Sequence, residues 1–503
     1  MNLLIKRTSA VFLVGCIALL SGCRESKNPT GAVVGYQKDE IAPTAEDTSD
    51  QTMYEPAAAV DPNIDLLAQQ YDELHPKRVA VLAPAPVAPP APPAPPLAAK
   101  EDIEKAKTRV SELRGSFKTA KNGAITSITV ESQDATLDDM KLFGRLLDLE
   151  SYTFLGSNFT DEFLAEFKDL QKVTTVTIQN AAITVETLNM LGNYPELTSL
   201  DIRRDLELKN KDLEAVVNMP KLEKLFAYYN GFGTLGVRRL AKSTTLKLVD
   251  LRGCSGVDDS ACRYLAEMPT LEELYLRFLI TNDGVEYLAA APALKFVEFQ
   301  DCPIDNRCSE SLVKFPALVG LRVFRCNAFD DGGIKQLADM KFERLELRDL
   351  NISSEGILAL KDMTTLKTVE LSEMSSVDAE ALKTVFSSWK DMTSLNTFTM
   401  PVDDEVVKTI VANMPNLKSL TIRASIGKLT DAGLDEICKL SNLETLDLRE
   451  NAGLTLEGMM KLANIQTLRR VYIKGTKLGE TTPEAADAIK EFKKINPKCS
   501  FSN

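Results

Sequence analysis

Residues 417–448 read LKSLTIRASIGKLTDAGLDEICKLSNLETLDL, and this stretch holds the plan of most of the chain. Leu417, Leu420 and Ile422 stand in the spacing LxxLxL. The last two are two positions apart, the period of a strand with one buried face. The segment Leu429-Thr-Asp-Ala-Gly-Leu434-Asp-Glu-Ile437 then moves to intervals of three, the period of a helix with one buried face. At Leu443, Leu446 and Leu448 the strand spacing returns. One unit is therefore a short strand, a helix and a return.

The triplet recurs along the chain. It begins at Ile125, Ile128 and Val130, and ends at Leu468, Val471 and Ile473. Fifteen copies fit, with starts 22 to 29 residues apart, mostly 24 or 25. Copy twelve reads Leu395, Phe398 and Met400, after a 29-residue interval holding Trp389 whose extra residues are expected to bulge on the helical side. Helical second halves recur too, as in Ile280-Thr-Asn-Asp-Gly-Val285-Glu-Tyr-Leu288.

These residues resemble leucine-rich repeat proteins of the ribonuclease-inhibitor-like class, and in particular bacterial exported forms with L-T-D-x-G-L segments. The resemblance covers roughly residues 101–503. It implies an α/β fold: a leucine-rich repeat solenoid of about 15 repeats of about 24 residues. A curved parallel sheet lines its concave side and helices its convex side. It implies less about function, because such repeats serve many partners.

The boundaries follow from the repeat. Residues 101–124 are an N-terminal cap, with a helix over 101–114 and a hairpin turning at Asn122-Gly123. Repeats occupy 125–478. Residues 479–503 form a C-terminal cap, with a helix from Pro483 to Ile495 and a last strand ending at Phe501 over a buried Cys499. Cys254, Cys302 and Cys326 each lie three residues after a last anchor, where Asn230 and Asn451 stand in other copies. By the resemblance, Asn or Cys there steadies the turn. Cys262 aligns with the apolar Val285 and Leu434. Cys302 and Cys326 sit in adjacent copies, but stacked side chains point the same way, so register alone does not make a disulfide.

Ahead of the repeats the composition changes. Lys6 and Arg7 precede an apolar run at 10–20 that suits an export signal and is too short to span a bilayer easily. Leu20-Ser21-Gly22-Cys23 follows. It resembles the lipobox of bacterial lipoproteins, which implies cleavage of the signal peptide 1–22 and a lipid on Cys23. An ordinary secretory signal is the alternative. Cleavage removes two positive charges and takes the net charge from −13 to −15. Arg24, not Asp, follows the cysteine, which by the same resemblance permits the outer membrane. The expected location is thus the bacterial cell envelope, lipid-anchored, facing the periplasm or the cell surface. Residues 23–100 read as a disordered tether. Within it, 83–97 is APAPVAPPAPPAPPL, with eight prolines. A polyproline II run of this length spans roughly 45 Å at ~3.1 Å per residue. It is a stalk or, through its PxxP spacings, a peptide ligand. The lone histidine, His75, is a tether residue.

Composition narrows the chemistry. Fifty-nine Lys and Arg face 72 Asp and Glu, so a bulk nucleic-acid partner is not expected. A single histidine leaves no His-based triad or metal set. Neither a Gly-rich phosphate loop nor GxSxG occurs, so the reading is no enzyme and no cofactor. The acidic pairs Asp138-Asp139, Asp258-Asp259, Asp330-Asp331 and Asp403-Asp404 invite a calcium reading. Their position just before the helix favours helix capping, and no metal site is assigned.

The concave face is the candidate site. Its central outward position carries an acidic column, including Asp201, Asp250, Glu298 and Glu346. The outer position carries a basic one, including Arg203, Arg252, Arg348 and Arg449. Cross-strand charge compensation explains the charges. Aromatics in copies five to nine suggest more, since Tyr, Phe and Arg supply binding hot spots. The expected partner-binding patch is Phe226, Tyr228, Arg252, Tyr275, Arg277, Phe296 and Phe324, with Asp250 and Glu298 as a polar rim. The partner is an unknown envelope or extracellular protein. The alternative is a structural envelope or surface protein without a discrete ligand.

Overall fold

Alternation within each triplet sends the anchors to one face of a strand, and that face becomes the core. A computed structural model describes residues 99–502. The signal peptide, Cys23, His75 and the Pro-rich spacer lie outside the described residues. A helix, Lys100–Glu112, comes first. The strand Ser116–Thr119 then pairs antiparallel with Ile125–Val130 across a turn in which Gly123 has φ 85°. Every later pairing is parallel and joins chain neighbours, through to Ser500–Ser502. The central anchors stay in register, as in Tyr152↔Val176↔Leu200 and Leu446↔Val471↔Phe501. Helices return between strands and bury one stripe, such as Gly433, Leu434 and Ile437. One hydrophobic cluster runs unbroken from Ala106 to Cys499. The described chain is an α/β leucine-rich repeat solenoid.

From the second copy onward, a residue of positive φ ends each repeat strand. It stands two positions after the last anchor: Asn180, Arg204, Tyr229, Gly253, Phe278, Asp301 and onward to Gly475. The turn breaks the strand while the amide of that residue still donates to the next copy. Tyr229 N donates to Arg252 O (2.9 Å), and Asp301 N to Phe324 O (2.9 Å).

Copy twelve corrects the expected phase. Leu395 pairs with Val369 and Leu420, so it is the central anchor, not the first. Met392, Leu395 and Thr397 are the buried triplet; Phe398 faces outward and is half-buried. The Thr397 hydroxyl donates to Thr421 O (2.8 Å), which lets a polar residue hold an anchor position. Copy starts then lie 23 to 26 residues apart, and the 29-residue irregularity disappears. Trp389 does not bulge: it is fully buried against Phe386 and donates its indole N–H to Leu360 O (3.2 Å).

Three of the four acidic pairs divide their work, while Asp139 closes a capping box with Thr136 at its own helix. Asp258 accepts from Ser260 N at the start of its own helix (3.0 Å). Asp259 reaches the next copy, accepting from Thr281 N (2.8 Å) and Thr281 Oγ1 (2.6 Å). Asp331 does the same to Ser353, Asp404 to Thr430 and Asp431 to Thr455. This explains L-T-D-x-G-L. Thr caps its own helix, Asp staples the following copy, and Gly admits the Asp of the preceding one. A Cβ on Gly458 would lie 2.2 Å from Asp431 Oδ1. Among the described residues no three His, Cys, Asp or Glu side chains are placed to hold a metal ion.

The position three after the last anchor forms an inner ladder. Asn230 donates to Ile202 O (2.8 Å) and Ala227 O (3.0 Å), and accepts from Asp205 N (2.8 Å). Cys254 Sγ lies 3.1 Å from Ala227 O, in the same role. All seven described cysteines are free thiols, Cys302 and Cys326 included. Copy four places Asp205 in this ladder, fully buried. Its Oδ1 accepts from Ala181 N (2.7 Å), while Oδ2 has no partner. Burial pushes its carboxyl up to about 8, against the Ala181 hydrogen bond that lowers it.

Two tests follow from these rows. Gly→Ala in a helix ordinarily stabilises. Gly458→Ala is expected to cost about 1–3 kcal/mol by displacing a hydrogen-bonded carboxylate. In an Asp431→Ala background the same change should become neutral or stabilising, so denaturant titrations of the four-protein cycle should show a sign reversal. Asp205 keeps its proton to about pH 8 in the fold but loses it near 3.9 when unfolded. Its contribution to stability therefore declines as pH rises between those values. Asp205→Asn removes that dependence and supplies the amide donors seen at Asn230. It should raise the melting temperature, and by more at pH 8 than at pH 5.

Candidate functional site

The sheet face is built from two outward residues per copy, so in-register stacking makes columns. Within copies four, six and fourteen the columns are joined by an Asp-x-Arg fork. Arg252 donates Nε and Nη2 to Asp250 (3.0 and 2.7 Å), and Arg449 does so to Asp447 (3.0 and 2.6 Å). Arg203 forms the same fork with Asp201. Further ion pairs cross between copies. Glu298, 0% exposed, accepts from Arg252 Nη1 (3.0 Å) and Arg322 Nη1 (3.5 Å). Burial pushes its carboxyl up, and the two guanidinium groups draw it back only in part.

The predicted patch divides into one stack and three separate side chains. Tyr228, Arg252, Tyr275 and Phe296 form one stack. The Arg252 guanidinium lies 5.7 Å from the Tyr228 ring and 5.2 Å from that of Tyr275, whose centroid is 5.5 Å from Phe296. Phe324 stands apart under Arg325 and Arg348, at 4.0 and 4.7 Å. Arg277 turns to the edge of the sheet, donating Nε to Asp301 Oδ2 (2.6 Å) and Nη1 to the Tyr229 hydroxyl. Phe226 lies half-buried between Asp201 and Asp250 in register.

Two members are not exposed as expected. Phe296 and Phe324 point outward with no register slip, yet they are only 4% and 8% exposed. Arginines of their own and nearby copies cover them. The Arg344 guanidinium lies over the Phe296 ring, 3.9 Å from its centroid. The Phe296 ring also fills the space beside Gly320, where a Cβ would approach it to 2.7 Å. Outward direction and exposure are separate properties on this face, because long guanidinium side chains fold over the rings.

Several exposed apolar side chains lie instead at the strand ends, where the triplet pattern carries no information. Tyr229 (37% exposed) and Phe278 (38%) occupy the left-handed position, with φ 58° and 74°. Leu279 and Leu206 are exposed beside them in copies seven and four. The available signal is substitution at a position suited to Gly, Asn or Asp: an aromatic there has no core to enter. Phe398 is a second omission, because copy twelve was read out of phase. It carries Arg423 at 4.6 Å and Arg348 at 5.4 Å over its ring.

No family model and no curated protein matches the sequence. Among solved structures, a chain of the yeast Rad7 and Elc1 complex is 16% identical, with 80% of this chain and 87% of that chain covered and a TM-score of 0.41. An internalin from Listeria monocytogenes is 17% identical, covering 70% and 95%, at 0.36. A leucine-rich repeat protein from Leptospira interrogans is 15% identical, covering 72% and 92%, at 0.28. Superposition at this level is partial, and the fold assignment rests on the strand register and the repeat.

Phe324 is therefore a structural side chain. Phe324→Ala should lower stability by about 3 kcal/mol, the scale for an aromatic removed from a packed site. Chemical denaturation measures this directly, and an unchanged midpoint would show that the ring is dispensable.

Proposed function

We propose that this protein is a lipid-anchored, non-enzymatic scaffold of the bacterial cell envelope that binds a protein or peptide along its sheet face and the adjoining strand ends. The observation carrying this reading is the pair of bulky aromatics, Tyr229 and Phe278, held half-open in left-handed backbone. An L-residue there costs roughly 1–2 kcal/mol, and Gly253 and Gly475 hold the same turn with no side chain at all. Arg204 lies 5.1 Å from the Tyr229 ring and Arg277 4.2 Å from that of Phe278. Apolar rings framed by arginines are the composition of an interface anchor. Attachment rests on the Leu20-Ser21-Gly22-Cys23 sequence, with the outer membrane as the proposed destination and the Pro-rich run as spacer. The paired charges of the sheet face serve solubility and register, and the partner is engaged mainly at the strand ends.

The domain from residue 99 onward, used as bait on native envelope extracts, supplies a partner whose affinity is then measured by calorimetry. Phe278→Gly should weaken that affinity by more than about 1 kcal/mol while leaving the melting temperature unchanged or higher. Glu286→Ala, on the helical side, should have no effect. The reverse pattern would move the site to the helices. Concentration-dependent self-assembly without a partner would favour a structural envelope role.

A further inference from the structure

Copy thirteen breaks the pattern of the sheet face in one respect. Arg203, Arg252 and Arg449 each stand two residues after an aspartate and form a fork with it. Arg423 stands at the same outer position, but the residue two before it is Thr421. The copies on either side do not make good the difference. Copy twelve offers Asn396, and Asp447 of copy fourteen is already forked to Arg449. Arg423 has no ion pair in the described structure; its guanidinium lies against the Phe398 ring at 4.6 Å, and its buried Nε has no hydrogen-bond partner. Buried polar atoms are almost always paired, so this one calls for a physical reason.

The surroundings supply it. A cavity of about 370 Å³ opens here, lined by Asn396, Phe398, Ser419, Thr421, Thr445 and Tyr472. Three guanidinium groups border it, Arg348, Arg423 and Arg449, against two carboxylates, Glu370 and Asp447. Arg348 is held by Glu373 (2.5 Å), Arg449 by Asp447, and Glu370 lies 4.0 Å from Arg322, so of the three guanidinium groups Arg423 alone is in no ion pair. The Asn396 Oδ1 at the same site is also buried without a partner.

We propose that this cavity is an anchor site for a carboxylate side chain of an acidic peptide segment, which pairs with Arg423 as aspartates pair with its counterparts. Hydroxyls of Ser419, Thr421 and Thr445 offer short polar contacts, and Phe398 and Tyr472 supply flat walls for the adjoining methylenes and backbone. A planar carboxylate suits the guanidinium fork, and a hydrogen-bonded pair of this kind fixes orientation as well as affinity. This inference rests on the sheet face being a binding surface and assigns to it a place and a ligand chemistry.

Fluorescence anisotropy with a labelled decapeptide alternating Glu and Gly tests it, with the Gln-Gly counterpart as control. The Glu peptide should bind and the Gln peptide should not. Arg423→Gln should weaken binding at least tenfold. Thr421→Asp completes the internal fork, so it should raise the melting temperature while abolishing binding, which separates loss of the site from loss of the fold. Arg307→Gln, on the helical side, should change nothing. Unchanged Glu-peptide binding in both Thr421→Asp and Arg423→Gln overturns the proposal. So does equal binding of the Gln peptide, or tighter binding of a hyaluronan hexasaccharide, which would give the carboxylate to a sugar acid. If the Glu peptide fails to bind while Phe278→Gly still weakens an envelope partner, the anchor falls and the scaffold reading stands. If the Glu peptide binds through Arg423 but Phe278 has no role, the anchor stands and the strand-end surface falls.

Discussion

Each copy takes its hydrogen bonds from its neighbours, and the rest of the structure depends on that dependence. A strand of three to five residues cannot satisfy its own amides or bury its anchors alone. Two rows of backbone bonds bracket every strand. At its start, Thr393 N donates to Lys367 O (2.8 Å) and Lys418 N to Thr393 O (2.9 Å). At its end, the left-handed residue turns the chain while its amide reaches forward, as Thr399 N does to Arg423 O (2.9 Å). On the helical side, the Asp staples and the glycines that admit them repeat the same forward connection. Three parallel rows, at the strand start, the strand end and the helix start, leave little freedom for one copy to slip against the next.

In-register stacking creates an electrostatic problem on the sheet face. Equivalent positions lie about 4.8 Å apart, so a column of one charge would repel itself. The chain meets this by placing arginine beside aspartate within a copy and by interrupting the columns with Tyr275 or Phe324. The result is a packed layer in which Glu298 is fully buried yet doubly paired. Such pairs are weak evidence for net stability, but removing one partner is costly. This layer is better understood as a second packed surface than as a set of free contacts. That is why Phe296 and Phe324 are covered although they point outward.

Departures from the repeat carry the functional information, because the repeat itself is explained by folding. Tyr229 and Phe278 place rings where the backbone favours glycine. Thr421 leaves Arg423 without the carboxylate its counterparts possess. Asp205 puts a protonated acid where asparagine does the same task better. The first two face solvent and suit recognition; the third is sealed in the turn ladder and bears on stability alone.

The linear pattern by itself determined the fold class, the number of copies and the outward direction of nearly every sheet-face residue. Period two and period three are local properties, and fifteen concordant copies leave one way to bury the anchors. The aspartates before the helices were legible as caps, since that role is also local. Their reach into the following copy was not, because the partner is some 24 residues away and only stacking brings it near. Tertiary structure also decided the phase of copy twelve: Leu395 and Phe398 both suit an anchor, and only pairing with Val369 and Leu420 chooses between them. It decided exposure as well. Whether Phe324 is open or covered depends on arginines in its own and adjoining copies, and whether Arg423 is paired depends on what stands across three strands at once. Direction follows from the alternation of one strand, whereas burial and charge compensation are sums over neighbours that the sequence separates and the stacked sheet brings together.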